Sequence, residues 1–333
     1  MWRLIGAGFA LVVLVLAGFV GYRTSTFTAP PPPASVALPN TGAYSIDANT
    51  AAQHLSEAVR FNTVSLVNAN DDRSNFERFQ AWMQTTYPAF HAQAKRELIN
   101  GLGLLYTWQG SDAGQPPMLL LAHQDTVPVP DDTRGQWQVD PFAGVIRNNA
   151  VWGRGAIDDK GSLVSILEAA DLLARIGKRP KRTIMMAFGF DEEIGGEGGA
   201  HQIAAELQRR GVHAWFVLDE GLAAITDHPL TGGPASLIGI AEKGFATMRV
   251  RAVGQAGHSS IPPRETAVSL LAQAVTRIHD MPIKRNIEGG GPAMAMMRAL
   301  APHLSLMNRM ALSNEWLFGP LLQRQLASSA PAQ

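Results

Sequence analysis

The stretch Met118-Leu-Leu-Leu-Ala-His123-Gln-Asp125 decides how this chain is read. A short apolar run bounded by Pro117 and His123 reads as a buried strand. In extended backbone, residues two apart share a face, so His123 and Asp125 point the same way. A carboxylate beside a metal-binding imidazole fixes its tautomer and raises its basicity. Taken alone, the histidine reads more readily as a solvated loop residue.

From about Ala43 onward, helix-like and strand-like stretches alternate around this strand. The spacing predicts a helix over 45–62 with Asp47 as its cap, and another over 162–176 that stops at Gly177. A buried strand follows over 183–190, then a helix over 196–210 closed by Gly211, and a strand over 213–218. That order predicts an α/β domain with a largely parallel sheet. Sites in such sheets lie just past the carboxyl ends of the strands, where His123, Asp191 and Asp219 all fall.

Three further clusters share that setting. Gly153-Arg-Gly-Ala-Ile-Asp158-Asp159-Lys-Gly161 places adjacent aspartates before a helix, where capping is the ordinary explanation; its glycines let backbone approach a bound ion closely. Asp191-Glu192-Glu193 sets three carboxylates in a row, which repel one another unless a cation or solvent neutralises them. Leu218-Asp219-Glu220-Gly221 is the last. Together they describe an oxygen-rich site with nitrogen ligation, suited to zinc, cobalt or manganese. Several carboxylates around one imidazole also suit two ions sharing a bridging carboxylate, an arrangement that activates water for hydrolysis.

Composition narrows the alternatives. The 333 residues carry 28 Lys plus Arg against 28 Asp plus Glu, so no basic excess is available for nucleic acid. With 46% apolar and 17% charged residues the chain can bury a core, which excludes an acidic disordered protein. It has no cysteine, hence no disulfide, thiolate zinc site or cysteine nucleophile.

At the N-terminus, Leu4 to Val20 carries no charge, and Trp2 to Tyr22 would span about 31 Å as a helix, close to the roughly 30 Å hydrocarbon core. Trp2 and Tyr22 then sit at the two interfaces, with Arg3 holding the N-terminus inside. Residues 1–22 therefore read as a transmembrane signal anchor that leaves the rest on the exported side; a signal peptide, cleaved to release a secreted protein, is the competing reading. Residues 23–42, rich in proline, form a semi-rigid linker.

His123-Gln-Asp125-x-Val-Pro-Val, Trp152-Gly-Arg-Gly-Ala-x-Asp158-Asp-Lys-Gly, Phe188-Gly-x-Asp-Glu192-Glu193-x-Gly-Gly and Leu218-Asp219-Glu-Gly together resemble the co-catalytic zinc metallopeptidases. That family includes carboxypeptidase S, aminoacylases and dipeptidases, and the carboxypeptidase S branch fits best. The resemblance implies a zinc-peptidase-like α/β catalytic domain (residues 43–238) and an inserted α+β lid or dimerisation domain (residues 239–333), through which a homodimer would form. It implies that His123 and Asp219 hold one zinc, Asp158 bridges two, and Glu193 holds the second. Asp125 orients His123, and Glu192 is the general base for a metal-activated water. The choice of Asp219 over Glu220 rests on the family pattern alone. The implied substrate is a small peptide or N-acyl amino acid; the Met-rich stretch over 293–326 by itself reads as core or lid packing, and in carboxypeptidase S relatives that region caps the site and favours apolar substrates.

Within the lid, residues 246–253 alternate as a strand, and Glu265 to His279 is amphipathic. His258, in Gly257-His-Ser-Ser260, matches the family's histidine that reaches over the substrate to stabilise an oxyanion; by itself it reads as a turn residue. In the family a late histidine completes the second zinc, whereas His279 and His303 stand in no such context. The expectation is accordingly a C-terminally truncated chain, a fragment or degenerate copy. Its lid and second zinc site would be incomplete, leaving at the extreme an inactive membrane-anchored relative that acts by binding alone.

Overall fold

The computed structural model describes residues 2–28, 44–67, 73–228, 231–240, 247–254, 257–258, 260–261, 263–281 and 292–327. In chain order, α1 (Trp2–Ser25) precedes α2 (Ala48–Val59), α3 (Arg73–Thr86) and the short α4 (Pro88–His91). Next come β1 (Lys95–Ile99), β2 (Gly103–Trp108), β3 (Met118–His123), the short α5 (Asp131–Arg134), β4 (Val145–Arg147) and β5 (Ala150–Trp152). Then follow α6 (Lys160–Arg175), β6 (Ile184–Gly189), α7 (Ala200–Arg209), β7 (Phe216–Leu218), β8 (Ala224–Ile225) and β9 (Ala235–Ser236). The chain continues with α8 (Ala267–His279), α9 (Pro292–Leu300), α10 (Leu306–Ser313) and α11 (Glu315–Ala327). Two compact units result: residues 37–221, and residues 1–36 with 222–333.

The first unit is built on a five-stranded sheet in the order β1-β2-β6-β3-β7. β3 runs parallel to both β6 and β7, with His123 opposite Gly189 and Leu120 opposite Leu218. β1 and β2 pair antiparallel, and β2 pairs antiparallel with β6. The sheet is therefore mixed, a correction to the largely parallel expectation. Asn100 and Gly101, both at positive φ, turn β1 back onto β2 as a hairpin, and β2 then docks antiparallel on the distant β6.

Side-chain alternation on the strands packs both faces. Leu104, Tyr106 and Phe188 meet Phe79, Phe90 and Leu163 on the face covered by α2, α3, α4 and α6. Leu105, Met185 and Ala187 meet Ile203 and Leu207 of α7 on the other. Asp47 caps α2 by accepting the Thr50 N–H at 2.9 Å, and Gly177 follows α6 at φ +69°, as the sequence implies. β7 is an edge strand whose three residues are exposed. Asp191 turns away from its neighbours: its carboxylate accepts the N–H groups of Gly198 at 2.6 Å and Gly199 at 2.8 Å, just before α7. A Cβ on Gly199 would lie 2.6 Å from Asp191 Oδ1, so that turn requires glycine.

In the second unit α1 is long and apolar enough to cross a membrane, by length and composition. Helices α9 to α11 share a small core of Met294, Ala301, Leu304, Leu312 and Leu322, with Phe27 packed against it. Thr266 caps α8 in a reciprocal capping box with Ser269. The strand expected over 246–253 is corrected: residues 247–253 join no sheet among the described residues. Alternation alone cannot hold a strand that finds no partner for its backbone groups among the described residues. Ala246, most of the proline linker (residues 29–43) and the glycine-rich 283–291 stretch lie outside the described residues.

Candidate metal centre

Three adjacent strand ends and one helix start build the site. β3 delivers His123 and leads into Asp125; β6 leads into Glu192 and Glu193 in a 3-10 turn; β7 leads into Asp219 and Glu220; α6 begins just after Asp158 and Asp159. All lie at the carboxyl edge of the parallel strands, the expected place for a site. Gly155 permits the approach of the Asp158 loop, since it sits at φ +85° and a Cβ there would lie 2.6 Å from Thr126 Cγ2. The Asp158–Asp159 peptide is cis.

His123, 2% exposed, is the hub. Its Nε2 lies 2.8 Å from Asp158 Oδ1, 3.2 Å from Glu220 Oε1 and 3.9 Å from Glu192 Oε2. Its Nδ1 faces Asp125, 3.0 Å from the backbone oxygen and 3.2 Å from Oδ1. Two overlapping groups bring ligand atoms within 4.8 Å of one another: His123 with Asp158 and Glu193, and His123 with Asp159 and Glu220. An imidazole facing several hard carboxylate oxygens is a donor set that fits zinc or manganese.

Electrostatics follow from this crowding. Burial opposes charging His123, but hydrogen bonds to Asp125 and Glu220 outweigh it and push the imidazole up to about 12. Burial likewise opposes ionising Asp125, yet its contacts to His123, Ser65 and the Glu193 N–H keep its pKa below the ordinary range. For Glu192 and Glu193 burial is the leading cause and the pKa rises. Asp159, fully buried, is pushed up to about 7 by desolvation while its Oδ2 accepts the His123 N–H at 3.2 Å. A cation at this cluster would offset both the cost of burying these carboxylates and their mutual repulsion.

Asp125 does more than orient the imidazole. Its two carboxylate oxygens accept the backbone N–H groups of Glu192 and Glu193, each at 3.1 Å. Glu193 Oε1 in turn accepts the Val127 N–H at 3.2 Å, whereas the Glu192 side chain is half exposed. The Asp219 side chain accepts the Glu220 N–H at 2.9 Å, and the Glu220 carboxylate lies 3.2 Å from His123 Nε2. Glu220 and Asp159 were present in the motifs but received no role from the sequence; which member of an adjacent acidic pair turns inward depends on backbone torsions. His258 lies in the other unit, exposed, with Nδ1 2.8 Å from Ser260 Oγ.

Two supporting groups were not foreseen. Gln124 is fully buried; its side-chain amide donates to the carbonyls of Phe188 at 2.9 Å and Gly189 at 3.1 Å, and accepts from Gln80 at 2.9 Å. Lys160, also fully buried, donates to the carbonyls of Ala58 at 3.1 Å and Phe61 at 2.6 Å, with its Nζ 5.1 Å from the Phe79 ring centre. A glutamine between His123 and Asp125 must face the opposite side of the strand, which was the available signal.

Residues 119–314 match the description of peptidase family M20/M25/M40. The chain is 37% identical over 273 residues to the mouse N-fatty-acyl-amino acid synthase/hydrolase PM20D1, covering 81% of this chain and 54% of that one. It is 35% identical over 267 residues to carboxypeptidase S of Saccharomyces cerevisiae, covering 77% and 46%. It thus spans about half the length of the curated relatives it matches. Among solved structures, human carnosine dipeptidase 1 aligns at 19% identity with a TM-score of 0.46, over 55% of this chain and 41% of that one.

Proposed function

The chain belongs to peptidase family M20/M25/M40, and from that premise we propose that it hydrolyses the amide bond of an N-acyl amino acid or small peptide. The observation that carries the proposal is His123, buried at the strand ends with Asp158 2.8 Å from its Nε2 and the Glu192 carboxylate at the same mouth. His123, Asp158, Glu193 and Asp219 would hold zinc, with Asp158 shared between two ions. When bound, zinc supplies positive charge that acidifies water and polarises the scissile carbonyl.

The chain's own residues supply the proton handling. Glu192 is held by its backbone to Asp125 while its carboxylate stays half exposed, so it can meet both water and substrate. Burial raises its pKa, which moves it toward the range in which a carboxylate both takes a proton and returns it. As general base it accepts the proton of the attacking water and passes it to the leaving amine. A long apolar acyl group is our preferred substrate feature, from the fatty-acyl substrates named for the mouse relative. We assign His258 to oxyanion stabilisation on the family resemblance, and α1 to a signal anchor that leaves the catalytic unit on the exported side.

A second reading of one ligand follows from the geometry: Glu220, 3.2 Å from His123 Nε2, takes the place given to Asp219. Asp219→Asn and Glu220→Gln, compared by chelator competition, identify the ligand as the variant with the larger loss of affinity. For the mechanism, Glu192→Ala abolishes hydrolysis of N-acyl amino acids while metal content and folding persist. Retained turnover would sink the base assignment.

A further inference from the structure

In the second unit, the end of α1 is clasped by polar groups that an isolated apolar helix would not need. Thr24 is 5% exposed, although most side chains of α1 are exposed. Its Oγ1 lies 3.2 Å from Ser313 Oγ and accepts from Asn314 Nδ2 at 3.2 Å; the same amide group donates to Val20 O at 3.4 Å. Ser313 and Asn314 are themselves buried and form the joint between α10 and α11. Just beyond it the Trp316 ring packs on Phe19, centroids 6.0 Å apart. Phe19 lies six residues before the last residue of α1, roughly 9 Å along the axis at 1.5 Å per residue. Trp316 is thereby set at the depth of the outermost part of the apolar helix.

α11 is inverted for a helix facing water. Leu322 points inward to the small core, whereas Trp316 (50% exposed), Leu317 (48%) and Leu321 (60%) share the outer face with Pro320. At 100° per residue these four positions fall within one arc, with exposed Arg324 in the same sector one turn further on. Leu306 and Met307 at the start of α10 are exposed as well. An apolar face edged by tryptophan and arginine suits the boundary between headgroups and acyl chains, where such helices sink about 5–10 Å.

We propose that α11, with the start of α10, lies in the surface of the bilayer that α1 enters, as a lipid-embedded foot. The occupant of this face is phospholipid because the Phe19–Trp316 contact and the Thr24–Asn314 hydrogen bond set the face at the membrane end of α1. The inference rests on reading α1 as a membrane anchor.

The absence of cysteine makes the test direct. Single nitroxide labels are placed through Leu317→Cys, Leu321→Cys and Met307→Cys in the full chain, reconstituted in phosphatidylcholine–phosphatidylglycerol vesicles. Phe9→Cys in α1 serves as the lipid reference and Arg209→Cys in α7 as the aqueous one. Accessibility to oxygen, relative to a water-soluble nickel chelate, should be several-fold higher at 307, 317 and 321 than at 209. Circular dichroism of each labelled protein confirms that the helices persist. Lipid-like values at position 9 with water-like values at the other three would overturn the foot and leave the anchor standing. Shielding of those three from both reagents means that protein covers the face, a second copy or further polypeptide, and also overturns it. Water-like values at position 9 overturn the anchor and, with it, the foot.

Discussion

The Asp125 carboxylate grips Glu192 by its backbone, Oδ1 accepting the N–H at 3.1 Å, while the same oxygen lies 3.2 Å from His123 Nδ1. One buried side chain thus sets the spacing between the proposed first ligand and the proposed base. Asp125→Asn keeps the size but can satisfy only part of this arrangement, because an amide nitrogen cannot accept an N–H. Zinc affinity should fall about 10- to 100-fold, the usual loss when a partner supporting a ligand is removed. Competition with a chromophoric chelator measures it; unchanged affinity counts against the role.

Metal removal should destabilise the first unit. Among the described residues one imidazole and several carboxylates converge there, and an ion that binds only the folded chain adds stability by mass action. At free zinc 1,000-fold above Kd that amounts to about 4 kcal/mol. Chelation should therefore lower the melting temperature by several degrees, and restored zinc should recover it. A scan insensitive to chelator would argue against any tight site.

Gln124→Leu should be among the costlier substitutions in the sheet. The amide satisfies carbonyls at the end of β6 and the Gln80 side chain in a fully buried place. Deleting it strands those partners, at roughly 2–4 kcal/mol for more than one buried group. Urea midpoints, compared with those of a surface control such as Gln208→Leu, report the difference.

Lys160 makes stability depend on pH in a stated direction. Burial pushes its ammonium down to about 7, against 10.5 when unfolded. Between those values unfolding takes up a proton, so the contribution is complete above 10.5 and is lost as pH falls through about 7. The stability of the parent chain relative to Lys160→Met should therefore grow from pH 7 to pH 10, as measured by urea unfolding. A flat difference would show that the amine does not titrate in this window.

Much of this protein was determined by sequence pattern alone. The apolar runs before His123, Asp191 and Asp219 located three parallel strand ends, and Asp47 and Gly177 marked a helix start and stop, because caps and buried runs are local chemistry. The residues of the candidate site were likewise visible as clusters. Tertiary structure alone decided the mixed sheet: β2 rather than β1 docks on the distant β6, and because the two strands of a hairpin run in opposite directions, which one docks and which way round sets the sense of the new pair. It also decided that Asp191 turns back to the Gly198-Gly199 turn before α7 while Glu193 turns toward Asp158 and His123, and that Glu220 comes within 3.2 Å of His123 Nε2. Adjacent side chains of one composition differ only in direction. That direction is set by backbone torsions and by partners distant in sequence, such as Val127 for Glu193 and His123 for Glu220, which meet only in the fold.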